Sequence, residues 1–444
     1  MPFRLMVPVA VCVLLAGGAA AGRPITLAEA LDAAARGNLD LRASEAQAHV
    51  ARFLAHSALA EVGPRLHLDA NVYEWNSPFS ISIGGMPFLV RQDLTSMVTI
   101  SGTKPIVGLF SRIERYRGQA EERRAAGADV EAASADVRLQ TVEAYLQLAE
   151  ADDLVRIAGS VVGDAEEQVA RARSLVGNGR LLEADALRMQ VALAQARQDL
   201  LAAEGARESR RAVLAAVLGM PVDSELETER LDLTDLPPLP GNLADALALA
   251  ARGRPEIRAA AAHAAAARDS HRAAIGDLLP SVDVVGAYQH SEGQTFFPRD
   301  AGYVEGLLSW DFFGWGARYE ASRAERGRAQ LAAIKVEQVR RDVAVEVARR
   351  FVEARTARAA VDVARSAVGQ ADEAYRVARV LYDNGRATTT DLLDAQLARE
   401  RTQMSSIHAA YGYLIARAAL ERATAASPVH DAKPPPSTRP TTSP

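Results

Sequence analysis

The chain has 444 residues, 49% of them apolar but only 5% aromatic, and a net charge of -5 with a pI near 6.0. That length would suit about three ordinary domains, and the acidic balance excludes the basic footprint of a nucleic-acid binder. The one cysteine, Cys12, and eight histidines without metal-ligand spacing such as H-E-x-x-H leave no disulfide framework, metal site or nucleophile signature on which to build an enzyme.

Residues 1–21 carry Arg4, an apolar run from Leu5 to Ala16 and the small-residue stretch Gly17 to Ala21. This is the pattern of a secretory signal peptide, cleaved after Ala21 or Gly22, and its apolar core is short for the ~20 residues that span a bilayer. Cys12 lies inside it and not at its end, so no lipid attachment is expected.

Residues 22–220 form a first structural repeat. Thr26 and Glu29 have capping-box spacing, Ala35-Arg36-Gly37 breaks the helix, and a longer helix runs to Pro64. The pattern then alternates over about residues 65–101: Leu66, Leu68, Ala70 and Val72 on one face, His67, Asp69, Asn71 and Tyr73 on the other, with Val98 and Ile100 resuming after a loop. The spacing predicts a β-hairpin of roughly ten-residue strands, the length a tilted membrane strand needs. From about Ser111 a helical stretch of some 65 residues follows, a rod of about 100 Å if unbroken. Leu148, Val155, Val162, Val169 and Val176 recur every seven residues, interleaved by Ala151, Ala158, Ala165 and Ala172. A seam this narrow requires partner helices. Gly177-Asn178-Gly179-Arg180 (177–180) is a tip at which the chain reverses, and Leu187, Val191, Ala194 and Leu201 pattern the return helix.

Residues 221–241, with Pro237-Pro238-Leu239-Pro240, read as a linker. Residues 242–426 then repeat the first unit. Leu243 minus Leu27 is 216, and Pro280 minus Pro64 is 216 again, whereas Asn384 minus Asn178 is 206. About ten residues are therefore additional in the first hairpin segment. The second hairpin covers about residues 281–313 and the second tip is Asp383-Asn384-Gly385-Arg386 (383–386). Trp75, Trp310 and Trp315 all fall in or beside the hairpin windows, as interfacial girdles of membrane barrels require. Residues 427–444 are a Pro-rich tail predicted to be disordered.

Four strands cannot close a barrel, and open edges in lipid would leave backbone groups without partners. Two copies would supply eight strands and three copies twelve. A soluble periplasmic coiled-coil adaptor or scaffold protein is the alternative reading, although an adaptor would be expected to carry one helical hairpin flanked by compact β domains.

The signal peptide, the tandem helix, hairpin and long-helix units, and the tips Leu175-Val176-Gly177-Asn178-Gly179 and Leu381-Tyr382-Asp383-Asn384-Gly385 resemble the TolC-type outer-membrane efflux proteins over about Ile25 to Thr424. The resemblance implies a mainly α chain with membrane β. Two tandem repeats of long coiled-coil helices and β-hairpins would assemble as a homotrimer, with a twelve-stranded β-barrel continuous with an α-helical barrel. It also implies outer-membrane lipid around the barrel, and docking to an inner-membrane pump through a periplasmic adaptor for export of small molecules or proteins. No cofactor is implied. By the same resemblance, Asp391 and Asp394 match an acidic ring near the periplasmic entrance; the corresponding first-repeat positions are Asp185 and Arg188, so only one acid is kept there. Thr388 with Asp391 also fits a plain helix start. Gly179, Arg180, Gly385 and Arg386 form the turns that such proteins present to adaptor hairpins, and helix C-capping explains the two glycines equally.

Overall fold

In a computed structural model, the structure describes residues 24–295 and 298–425. The expected signal peptide, Phe296, Phe297 and the expected tail lie outside the described residues. Each half of the chain gives two short-to-medium helices, a β segment and two long helices. The first half comprises α1 (Leu27–Gly37), α2 (Leu39–Ala60), β1 (Arg65–Glu74), β2 (Phe79–Ile83), β3 (Met86–Val107), α3 (Leu109–Gly177) and α4 (Glu183–Val217). The second comprises α5 (Leu243–Gly253), α6 (Pro255–Gly276), β4 (Ser281–Gln294), β5 (Asp300–Ser309), α7 (Ala317–Asp383) and α8 (Thr389–Thr424). Two compact units draw on both halves: of the described residues, one holds 24–37, 141–236 and 364–411, the other 38–140, 237–295, 298–363 and 412–425.

In the second of these units every strand pairing is antiparallel, in the order β1-β3-β4-β5 with β2 also on β3. The β3–β4 pairing joins the hairpins of the two halves and leaves β1 and β5 as edges. Leu66, Leu68, Val72, Val98, Ile100, Val304 and Leu308 share one face by register and are all exposed, Leu66 at 83% and Val304 at 78%. Among the described residues no helix covers them. The first hairpin differs from the ten-residue expectation. Its ascending strand resumes as β2, and β3 runs for 22 residues, because the ten additional residues of the first repeat are spent lengthening the hairpin and not its loop. Trp310, Phe312, Phe313 and Trp315 follow the end of β5, paired as Trp310 with Phe312 and Phe313 with Trp315, and all four are exposed.

The helical core of the same unit is small-residue packing around Ala246, Ala250, Val343, Val347, Phe351, Ala354, Leu420 and Ala423. The helix breaks preceding the hairpins are solved differently in the two halves. Asn38 caps α2, accepting from the backbone N–H of Asp40 (2.9 Å) and Leu41 (3.2 Å). At the corresponding position Arg254 precedes Pro255 at the start of α6, and its guanidinium is buried against Glu256 (2.8 Å), Glu346 (2.7 Å) and the Ala423 carbonyl (3.2 Å).

In the other unit the alanine line of the α3 seam, Ala151, Ala158, Ala165 and Ala172, is buried throughout, while the valine line is buried at Val169 and half-buried at Val155, Val162 and Val176. Small side chains set the closest helix approach. The chain before α1 and the segment after α4 are pinned together: Ile25 bridges Thr228, and the Tyr145 hydroxyl donates to the Ile25 carbonyl at 3.0 Å. Burial pushes that hydroxyl up to about 12, so it stays a donor. Gly37 and Gly219 touch backbone to backbone; a Cβ on Gly219 would stand 2.2 Å from the Gly37 carbonyl oxygen.

Candidate functional site: the helical tip

Both long helices end in the same device. Gly179 adopts φ +66°, with Gly179 N–H donating to Val176 O (2.9 Å) and Arg180 N–H to Leu175 O (2.8 Å). Gly385 adopts φ +70°, with Gly385 N–H on Tyr382 O (2.9 Å) and Arg386 N–H on Leu381 O (2.8 Å). These are the paired bonds of a glycine-terminated helix. Asn178 and Asn384 add a side-chain bond to the Ser174 and Val380 carbonyls, at 2.9 and 2.7 Å. All of Gly179, Arg180, Gly385 and Arg386 are exposed, and nothing lies within 4 Å of a Cβ built on either glycine.

The return helices start unlike one another. Leu182 precedes α4 without a side-chain cap, whereas α8 opens with a reciprocal box: Thr388 N–H donates to Asp391 Oδ2 (2.8 Å) and Asp391 N–H to Thr388 Oγ1 (3.1 Å). Those bonds from Thr388 hold the exposed Asp391 carboxyl below the usual carboxylate range. Asp394 is exposed one turn on. Asp185 is half-buried and pairs with Arg188 on its own helix at 3.1 Å. Thus the structure brings the acids of each return helix into separate local pairings, Asp391 with Thr388 and Asp185 with Arg188.

What gathers the four helix ends is a cluster of Val169, Ala172, Ala186, Met189, Tyr375 and Leu392, flanked by Val176, Leu181 and Tyr382. A cavity of about 40 Å³ remains beside Met189, Tyr375 and Tyr382. The Tyr382 hydroxyl is buried without a hydrogen-bond partner among the described residues. Polar contacts then cross between the two hairpins: Gln168 Nε2 donates to Gln396 Oε1 at 2.8 Å, and Arg171 pairs with Asp383 at 3.6 Å. Arg399 joins its own hairpin by pairing with Asp372 (2.7 Å) and lying 5.1 Å over the Tyr375 ring.

Sequence reasoning missed Arg171, Asp383, Gln168, Tyr375 and Tyr382 as a group. The signal was present as departures from the 206-residue repeat: Asp383 stands where the first copy has Gly177, Tyr375 and Tyr382 where it has Val169 and Val176, and Arg171 corresponds to Val377. Polar and aromatic substitutions on one copy of a duplicated seam mark where the copies meet.

Among the described residues no helix is long and apolar enough to cross a membrane. The duplicated unit, with its exposed apolar sheet and its doubled helical hairpins, has the architecture of an outer-membrane channel subunit. The chain belongs to the outer membrane efflux protein family, whose sequence model matches residues 30–220 and 246–426, one block for each repeat. Solved structures agree in fold: the outer-membrane channel OprN (21% identity, 90% of this chain and 89% of that one, TM-score 0.77), the CmeC channel of Campylobacter jejuni (16%, 90% and 85%, 0.79) and VceC of Vibrio cholerae (18%, 90% and 95%, 0.76). No curated protein sequence matches the chain. The protein is an outer-membrane efflux channel with a large periplasmic helical portion, and the adaptor or scaffold reading is not favoured.

Proposed function

We propose that three copies assemble into a twelve-stranded barrel with a helical tunnel, forming the exit duct of a tripartite efflux or type I secretion system. The duct receives small molecules or proteins from an inner-membrane pump through a periplasmic adaptor. The observation that carries this reading is the sheet: it ends in two edges, β1 and β5, and its apolar face is bare. In hydrocarbon such edges must pair, and pairing β1 of one copy with β5 of the next is the arrangement that leaves none over. Residues 1–21 serve as the export leader and residues 221–241 as the connection between repeats in this proposal.

At the helical tip, Asp391 and Asp394 supply the entrance with carboxylates, with Asp185 partly neutralised by Arg188. Gly179, Arg180, Gly385 and Arg386 offer two alike turns per copy, six per trimer, to an adaptor. The contacts between the hairpins keep the entrance narrow until an adaptor separates them. The test is to extract the protein from isolated outer membranes with detergent and measure its mass with and without adaptor. A detergent-dependent trimer that binds adaptor supports the reading. A monomer in the soluble periplasm ends it.

A further inference from the structure

The first hairpin changes the side on which it carries its apolar residues. Along the body of the sheet, Leu66, Leu68, Val72, Val98 and Ile100 occupy one face while His67, Asp69, Asn71, Thr95 and Thr99 occupy the other. Trp75 lies on the polar side, since its indole N–H donates to Thr95 Oγ1 at 3.0 Å. The Arg91 guanidinium stacks 3.7 Å from the centre of that indole ring, which puts Arg91 on the polar side beside Trp75. Phe79 is directly opposite Arg91 and so shares its side.

The next pair up the hairpin is Ser80 with Leu89, one residue along β2 but two along β3. Val90 is the additional residue, a bulge, and this one-residue slip exchanges the faces of the β3 residues beyond it while β2 keeps its alternation. Ile81 opposite Phe88 and Ile83 opposite Met86 therefore join Phe79 on the polar side, while Ser80, Ser82, Pro87 and Leu89 take the other. Without the bulge, Phe88 and Met86 would have continued the line of Val98 and Ile100. Phe79, Ile81, Ile83, Met86 and Phe88 are all exposed. This end of the hairpin, closed by the Gly84-Gly85 turn, is remote from the strand ends joined to helices, and among the described residues the second repeat has no strand corresponding to β2.

In the proposed barrel, lipid covers the side that carries Leu66 and Ile100 and so not these five. In the trimeric barrel proposed above, on which this step rests, their side is the lumen, and across the lumen stand the same hairpins of the other two copies. We infer that the three hairpins lean inward at the Val90 bulge and bring Phe79, Ile81, Ile83, Met86 and Phe88 together as an apolar constriction at the extracellular mouth. The occupant of each bare face is a second copy of this chain. Such a ring sheds water and resists hydrated ions, yet yields to apolar or amphipathic solutes.

Single cysteines at Ile83→Cys and Ser82→Cys, in a Cys12→Ser background, test this in the full-length protein in outer membranes. Oxidation should yield disulfide-linked dimers from the Ile83→Cys protein and none from Ser82→Cys. Phe88→Ser combined with Ile81→Ser, placed in an Asp383→Ala background in which the tip is released, should raise single-channel conductance in planar bilayers at least about twofold over Asp383→Ala alone. A protein that is trimeric by mass but shows no Ile83→Cys dimer, equal cross-linking at both positions, or unchanged conductance overturns the constriction alone. A monomeric mass overturns the assembly with it.

Discussion

Arg171, in the last two turns of α3, and Asp383, the final residue of α7, form an ion pair at 3.6 Å between the two helical hairpins. Both side chains are about half exposed, so water screens the pair and its removal should change thermal stability by less than about 1 kcal/mol. Its position matters more than its strength, because parting the hairpins breaks it. Asp383→Ala is expected to leave the unfolding temperature nearly unchanged while raising basal conductance and sensitivity to bulky antibiotics. Equal conductance for Asp383→Ala and the parent protein would remove the pair from gating.

The two carboxylates at the start of α8 should separate by role. Asp391 is bound by Thr388 and has its carboxyl held low, so its capping contribution is full above the ordinary carboxylate pKa of about 4 and fades only as pH falls through the lower folded value. Protection of the first-turn α8 amides against exchange, relative to the free-peptide rate at the same pH, should therefore be full at neutral pH and fall below that range, and Asp391→Asn should abolish this pH response. Asp394 has no part in the cap. Asp394→Asn is expected to reduce cation preference, read as a shift in reversal potential, with amide exchange of the turn unchanged.

Much of this architecture was legible in the sequence because duplication supplies an internal control. The 206- and 216-residue shifts locate the seams, the tips and the hairpins without any outside comparison, and the Thr26–Glu29 box forms as its spacing indicates, with Thr26 N–H on Glu29 Oε2 at 2.9 Å. The ten-residue excess was visible too, but whether it lengthened a loop or a strand was not. Gly84-Gly85 and Pro78 read as loop signals, and only pairing with β3 turns Phe79–Ile83 into a strand. The tip contacts were hidden for a different reason. Arg171 and Asp383 are 212 residues apart and meet only after four helix ends converge, which no local periodicity encodes.

Glycines at positive φ should behave differently according to what surrounds them. Gly385 at φ +70° faces open space, so Gly385→Ala incurs the left-handed backbone penalty alone, about 1 kcal/mol. Gly219 at φ +71° lies against the Gly37 backbone, and Gly219→Ala adds a clash that must displace main chain, for a loss of about 3 kcal/mol or more. Denaturation in detergent should rank them so. A bulky residue at Gly385 should abolish adaptor binding with the trimer yield preserved; export at parental levels would exclude the tip from docking.

Two buried tyrosine hydroxyls offer the sharpest contrast in stability. Tyr411 is almost wholly buried and its hydroxyl donates to Asp153 at 2.9 Å, with burial and that carboxylate raising its pKa, so it donates at any physiological pH. Tyr411→Phe leaves a buried carboxylate short of a donor and should destabilise by about 1–3 kcal/mol. The Tyr382 hydroxyl, by contrast, is buried with no partner among the described residues. Removing it relieves an uncompensated desolvation, so Tyr382→Phe is expected to be neutral or to stabilise by up to about 1 kcal/mol. Chemical denaturation of the two variants beside the parent measures both effects. Destabilisation by Tyr382→Phe of the assembled protein but not of the dissociated chain would locate the missing hydrogen-bond partner on a neighbouring copy, and would place Tyr382 at the subunit boundary of the tip.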